Sequence, residues 1–168
     1  MKFNIIVAMD KNRGIGLNNK LPWSFKEDMT YFKNLTKGAG NNAIVMGKNT
    51  YYSINKALPF RDNIVLSSSL QDSPDQFLLC KSIKELMKLL DEKQYDEVWI
   101  IGGNIIYKQF LYMPEYINKV YITQIDHSYS CDTYFPELPE NYELELNSVT
   151  SEKNILLNFK MYVNVNKS

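Results

Sequence analysis

Apolar residues fall along this chain in short dense runs, set apart by polar stretches that hold most of the glycine. FNIIVAM (Phe3 to Met9), AIVM (Ala43 to Met46), NIVL (Asn63 to Leu66), FLLC (Phe77 to Cys80) and EVWII (Glu97 to Ile101) are too short for helices. Each predicts a strand of a buried sheet. Between them the period changes. Ile83, Leu86, Met87, Leu89 and Leu90 recur at helical spacing behind a Ser82/Glu85 capping box. Further helices are expected after Gly47 (KNTYYSIN) and after Gly102-Gly103 (NIIYKQFLYM). Ile117 to Ile125 reads as another strand, and Tyr142 to Val149 with Ile155 to Val165 as an antiparallel hairpin around SEKN. Polar QDSPDQ is a loop. Strands alternating with helices imply right-handed crossovers. The predicted fold is α/β: a single domain over 1–168, with a central mostly parallel twisted sheet, an antiparallel C-terminal edge hairpin and about four flanking helices.

The first helix carries an acid on its apolar side. Leu21-Pro22-Trp23 is extended, since a residue before proline avoids α geometry. Ser24 with Glu27 fits a capping box, so Ser24 is the expected N-cap and the helix should run from Phe25 to about Thr36. Phe25, Phe32 and Leu35 then share one stripe, and Asp28 lies on it where a hydrophobic staple would place an apolar partner for Trp23. This window leaves two readings open: a rim aspartate favoured by the helix dipole, or a carboxylate waiting in an apolar pocket for a polar ligand.

Composition narrows the chemistry. Nineteen basic residues balance nineteen acidic ones, so net charge offers no footprint for nucleic acid or an anionic membrane. No apolar run approaches a membrane span, and the N-terminus lacks a signal-peptide pattern. The two cysteines, Cys80 and Cys131, have no metal spacing, which points to a reduced cytoplasmic protein without a metal. The single histidine, His127, sits in a polar loop away from any nucleophile elbow, so a serine triad is excluded. An enzyme with this inventory would draw its reactivity from a cofactor.

Ligands of open α/β sheets bind beyond the carboxyl ends of the strands. Those ends here carry Ala8 with the Gly14-Ile15-Gly16 loop, Gly47-Lys48-Asn49-Thr50, Ser67-Ser68, Lys81, and Gly102-Gly103. Two are glycine turns opening helices, a way of aiming backbone N–H groups at phosphate. GGNIIY is not the GxGxxG signature and could equally serve close helix–sheet packing. Lys48, Ser67, Ser68 and Lys81 together suit a phosphate monoester, which favours NADP over NAD. Arg61, after the Pro59 turn and near Ile54 and Leu58, suits a carboxylate held by a guanidinium, although an ordinary loop arginine has the same spacing.

These residues, with Ile6-Val7-Ala8, Leu21-Pro22-Trp23, Asp28, Phe32, Val45-Met46-Gly47-Lys48-Asn49-Thr50, Leu58-Pro59-Phe60-Arg61, Ile101-Gly102-Gly103, Tyr107, Thr123 and Asp132-Thr133-Tyr134-Phe135-Pro136, closely resemble the dihydrofolate reductase family of the bacterial chromosomal type. The resemblance implies an enzyme that reduces 7,8-dihydrofolate to tetrahydrofolate, with hydride passing from NADPH to C6 and a proton reaching N5. It implies a catalytic set of Asp28, Trp23 and Thr123, with Asp28 binding the pterin and its pKa raised by burial. Ile6, Met29, Phe32, Ile54, Leu58 and Ile101 would wall the substrate, and Arg61 would hold its glutamate carboxylate. Ala8, Gly14, Ile15, Gly16, Leu17, Asn18, Asn19, Lys20, Gly47, Lys48, Asn49, Thr50, Leu66, Ser67, Ser68, Lys81, Gly102, Gly103, Asn104, Ile105, Ile106, Tyr107 and Gln109 would contact NADPH. The Met9 to Ser24 loop would act as a lid, and the Gly102–Gly103 peptide is expected to be cis. Diaminopyrimidine and pteridine antifolates are expected ligands, and a monomer is the expected state. Lys48, Asn104 and Tyr31 depart from the commonest family residues. A pyrimidine reductase of riboflavin synthesis is the rival enzyme, disfavoured by the Trp23–Asp28 unit and Arg61. A non-catalytic nucleotide or pterin binding module is the rival outside enzymes, against which the intact Asp28 and lid speak.

Overall fold

A computed structural model describes residues 2–72 and 75–166. The strands are β1 (Lys2–Met9), β2 (Gly14–Gly16), β3 (Ala43–Met46), β4 (Asp62–Leu66), β5 (Phe77–Cys80), β6 (Glu97–Gly102), β7 (Ile117–Ile125), β8 (Thr133–Tyr134), β9 (Tyr142–Glu152) and β10 (Ile155–Asn164). The helices are α1 (Lys26–Lys37), α2 (Lys48–Ile54), α3 (Ile83–Lys93) and α4 (Asn104–Leu111). Eight strands form one sheet in the order β5-β4-β3-β6-β1-β7-β10-β9, and β2 pairs with β8 separately. All pairings from β5 to β7 are parallel, whereas β10 runs antiparallel to both β7 and β9. The expected α/β architecture with an antiparallel edge is therefore the observed one. The QDSPDQ loop includes residues 73 and 74, which lie outside the described residues.

Side chains alternate across the sheet and make two cores. Phe3, Ile5, Val7, Val45, Ile64, Val98 and Ile100 face Leu86 and Leu90 of α3 and Phe110 of α4. Ile6, Ile44, Met46, Val65 and Trp99 face the other way, against Phe32 and Leu35 of α1 and Tyr51 and Ile54 of α2. The parallel strands thus end together on one side of the molecule, and the second core lies beneath α1.

Two expectations about local structure need correction. The Ser24/Glu27 capping box does not form: α1 begins one residue later, its N-cap is Phe25, and that residue makes no side-chain cap. Phe25 turns instead into a cluster with Trp23, Ile125 and Leu157, which takes the chain past Ser24 before the helix starts. The second correction concerns the two aperiodic loops, which each contribute a short strand, β2 and β8, and pair with one another. Their pairing could not show as periodicity because the strands have three and two residues.

Candidate active site

Asp28 projects from the first turn of α1, and Thr123, 1% exposed on β7, faces it as a hydrogen-bond partner. Thr123 lies level with Ala8 on the neighbouring strand β1. Burial pushes the Asp28 carboxyl above the ordinary value of 3.8; bonding to Thr123 works against the shift, and the negative charge of Glu152 adds to it. Asp28 is half-buried, facing Thr123 rather than standing free at the rim. Ile6, Phe32, Ile54, Leu58 and Ile101 share the second core and form an apolar wall on the same face as α1. Met29 does not join them. It is 61% exposed, so it can rim the cleft but does not line it.

Trp23 is buried against Tyr129, with ring centroids 5.2 Å apart, and its Nε1 has no hydrogen-bond partner within the chain. A buried indole N–H normally finds one, so a donor is on offer beside the Asp28 helix. Arg61 is held by two bonds, from Nε to the carbonyl of Pro59 (2.8 Å) and from Nη1 to Oγ1 of Thr36 (2.9 Å). Thr36 Oγ1 in turn donates to the carbonyl of Phe32 at 2.7 Å. That relay leaves the remaining guanidinium donors for a carboxylate while fixing the plane of the group.

The glycine turns lie at the carboxyl ends of β3 and β6. α2 and α4 start from Gly47 and Gly103, and neither helix has a side-chain cap. The two turns are joined by Gly47 N–H donating to the Gly102 carbonyl at 2.8 Å. The Gly102–Gly103 peptide is cis, as expected. Gly102 has φ +127, and a side chain there would come within 3.3 Å of Thr50 Oγ1 and of the Tyr107 hydroxyl. At Gly47 a Cβ would sit 2.9 Å from Ile106 Cγ1. These backbones are bare because neighbouring elements close on them. Tyr107 is buried between the ends of β1 and β6, its hydroxyl 2.8 Å from the carbonyls of both Ile6 and Ile101. Burial drives its pKa far up, so it stays a neutral donor.

Lys48 reaches across to the end of β4 and donates to Ser69 Oγ at 3.0 Å, and Ser69 Oγ lies 3.3 Å from Ser67 Oγ. Ser69, which the sequence reading passed over, is thus the direct partner of Lys48, while Ser68 is exposed beside it. Ser67 N–H bonds the Cys80 carbonyl at 2.9 Å, which brings Lys81 at the end of β5 alongside. Leu66 and Ile106 both point into the main core, so only their backbones are available to a ligand. Asn104, Ile105 and Gln109 lie on the exposed side of α4, and Asn49 is exposed on α2.

The Met9 to Ser24 loop is tied down by two aspartates. Asp10, 1% exposed, accepts from the N–H groups of Asn12 and Gly14 at 2.8 Å and from Tyr129 N–H at 2.9 Å. Asp132 accepts from Asn18 N–H at 3.0 Å, and its own N–H donates to the Gly16 carbonyl. The Asn18 bond holds the Asp132 carboxyl below the ordinary carboxylate range. Asn18 and Asn19 have positive φ and form the tight turn bridged by Leu17 and Lys20. Ile15 packs inward against the main core. Asp10 escaped the sequence reading because its partners are backbone N–H groups, two in its own loop and one in the remote Tyr129 segment.

The family model for dihydrofolate reductase matches residues 2–164. A dihydrofolate reductase of Drosophila melanogaster is 39% identical over 152 residues, 84% of this chain and 83% of the relative. One of Staphylococcus haemolyticus is 40% identical over 136 residues, 81% of this chain and 77% of the relative, and one of Aedes albopictus is 33% identical over 99% of both. A model covering nearly the whole chain, together with relatives at these identities, establishes that the chain belongs to the dihydrofolate reductase family and is an enzyme.

Proposed function

We propose that the chain reduces 7,8-dihydrofolate to 5,6,7,8-tetrahydrofolate with NADPH as cofactor. The observation that carries this reading is the carboxyl of Asp28, desolvated above an apolar wall and facing Thr123. A pterin edge that presents a ring N–H and an amino group would satisfy that carboxylate with paired charge-assisted bonds. Ile6, Phe32, Ile54, Leu58 and Ile101 would clasp the ring faces, Trp23 Nε1 would add a donor, and Arg61 would take the carboxylate of the glutamate tail.

The cofactor fits the residues present. The Gly47 and Gly103 turns offer backbone N–H groups to a pyrophosphate, and Lys48 with Ser67, Ser68, Ser69 and Lys81 suits a 2′-phosphate, the feature that separates NADPH from NADH. When bound, NADPH supplies the hydride for C6. The lid from Met9 to Ser24, fastened by Asp10 and Asp132, excludes water from the reacting carbons. Asp28 holds the pterin by its pyrimidine edge, away from N5, so its work is orientation and polarisation, and solvent delivers the N5 proton. The same carboxylate would pair with protonated diaminopyrimidine and pteridine antifolates. The unpaired Cys80 and Cys131 suit a reducing cytoplasm, no helix among the described residues is long and apolar enough to cross a membrane, and a monomer carries every group named.

Oxidation of NADPH by dihydrofolate, followed by near-ultraviolet absorbance, tests the reading. Asp28→Asn is expected to lose roughly a hundredfold or more in kcat/KM at neutral pH, since it loosens the group that orients the substrate. Equal rates for the two proteins would refute the role given to Asp28.

A further inference from the structure

The start of α1 is closed by a residue from the far end of the chain. Glu152, the last residue of β9, accepts from Lys26 N–H through Oε2 and from Glu27 N–H through Oε1, both at 2.9 Å. The next residue, Lys153, donates through Nζ to the Ser24 carbonyl and stands 5.3 Å from the centre of the Phe25 ring. Ile155, past the turn, packs on the Trp23–Phe25 cluster. The turn between is short: Lys153 and Asn154 have φ of 55° and 61°, the geometry of a two-residue hairpin loop with positive φ at both central positions. One hairpin tip therefore grips the chain on both sides of the helix start.

Asp28 is the third residue of α1, behind the N-cap Phe25. An acid at this position ordinarily turns back onto its own helix terminus, where free N–H groups and the helix dipole attract it. Here the Lys26 and Glu27 N–H groups of that terminus are taken by a carboxylate from outside the helix, which also sets a negative charge where the Asp28 carboxylate would otherwise turn. We propose that Glu152 is a positioning residue for the substrate-anchoring carboxylate: it occupies the N-terminus of α1 so that Asp28 faces the pterin pocket rather than its own helix. The proposal rests on Asp28 as the pterin anchor.

Glu152 also acts on Asp28 through charge. Bonds from the Glu27 and Lys26 N–H groups hold the Glu152 carboxyl below its ordinary range, so it stays ionised while Asp28, pushed upward, titrates. Asp28 itself acts by charge on two tyrosines, Tyr31, one turn along α1, and Tyr107 of α4. Burial lifts Tyr31 to about 12 and Tyr107 beyond that range, so both remain neutral there. Lys153 and Lys26 flank Glu152 and soften its charge. Glu152 is then the ionised acid that makes a second negative charge on Asp28 harder to place.

The test uses the full chain with its aspartate carboxyls labelled for NMR titration, alongside steady-state kinetics and thermal unfolding. Glu152→Gln keeps the length and one accepting oxygen but removes the charge. It should lower the Asp28 titration midpoint by ~0.3 pH unit, the scale of one charge through a largely aqueous path, and leave KM for dihydrofolate within about twofold. Glu152→Ala removes the cap as well. It should lower the midpoint further, as Asp28 gains N–H groups of its own helix, and raise KM roughly five- to tenfold with kcat changed less. If both variants keep the wild-type midpoint and KM and lose only thermal stability, Glu152 is a structural cap and the proposal is overturned. Asp28→Asn separates the two levels: full activity in that variant would overturn the anchor reading itself, and the positioning role with it.

Discussion

Helices α1 and α3 begin with chain oxygens on their free N–H groups, whereas α2 and α4 begin on bare glycines. In α3 the oxygen is local, with Ser82 Oγ accepting from Glu85 N–H at 3.1 Å. The expected return bond is displaced by one residue, since Glu85 Oε2 accepts from Lys81 N–H at 2.7 Å rather than from Ser82. In α1 the oxygens come from Glu152, and in α2 and α4 no side chain takes the place. The difference sorts the four by duty. A terminus filled by the chain fixes structure, and one left to glycine at the end of a parallel strand is free to receive an anion.

The contrast breaks most visibly at Gly102. A Cβ at φ +127 and 3.3 Å from two hydroxyls forces either the cis turn or Thr50 to move. Gly102→Ala should weaken NADPH binding roughly tenfold to a hundredfold by fluorescence titration. A variant that binds as well as wild type would mean that the bare turn is only a packing device. Lys48→Gln comes next, with roughly a tenfold loss for NADPH, little change for NADH, and a wild-type affinity that falls as salt is added. Equal losses for both cofactors would remove Lys48 from the 2′-phosphate. Ser82→Ala should do the opposite of both, costing ~1 kcal/mol in denaturant unfolding with unchanged kinetics. A kinetic effect there would erase the distinction between closed and open ends.

The smallest effect concerns α1 itself. The Asp28 pKa is raised in the folded state, so the native protein binds the extra proton. Stability from this group is therefore fully present below the unfolded value of 3.8 and is lost as pH rises through the folded value. Asp28→Asn should accordingly be slightly more stable than wild type at neutral pH, and the gap should close as pH falls toward 3.8. Thermal unfolding across that range checks it, and a variant less stable at neutral pH would reverse the sign.

What was readable in the sequence follows from range. AIVM and FLLC became strands at the predicted residues because a buried parallel strand is written in its own apolar run. Asp28 was conspicuous because it broke an apolar stripe, and it is half-buried there with its pKa raised by desolvation. The start of α1 was misread because the true cap lies 126 residues away, and Ser24 offered a plausible local substitute. Ser69 was missed for a different reason: three serines in a row are indistinguishable until the reach of Lys48 is known. Asp10 and Asp132 hold the Met9 to Ser24 loop through backbone N–H groups, which leave no trace in side-chain pattern.

Strand β10 is inserted between β7 and β9, so the segment made later in synthesis separates two made earlier. Until β10 has entered, β9 has no neighbour to pair with, and Glu152 at its tip has no fixed place. The fastening of the first turn of α1 is thus tied to the pairing of the last strand of the sheet.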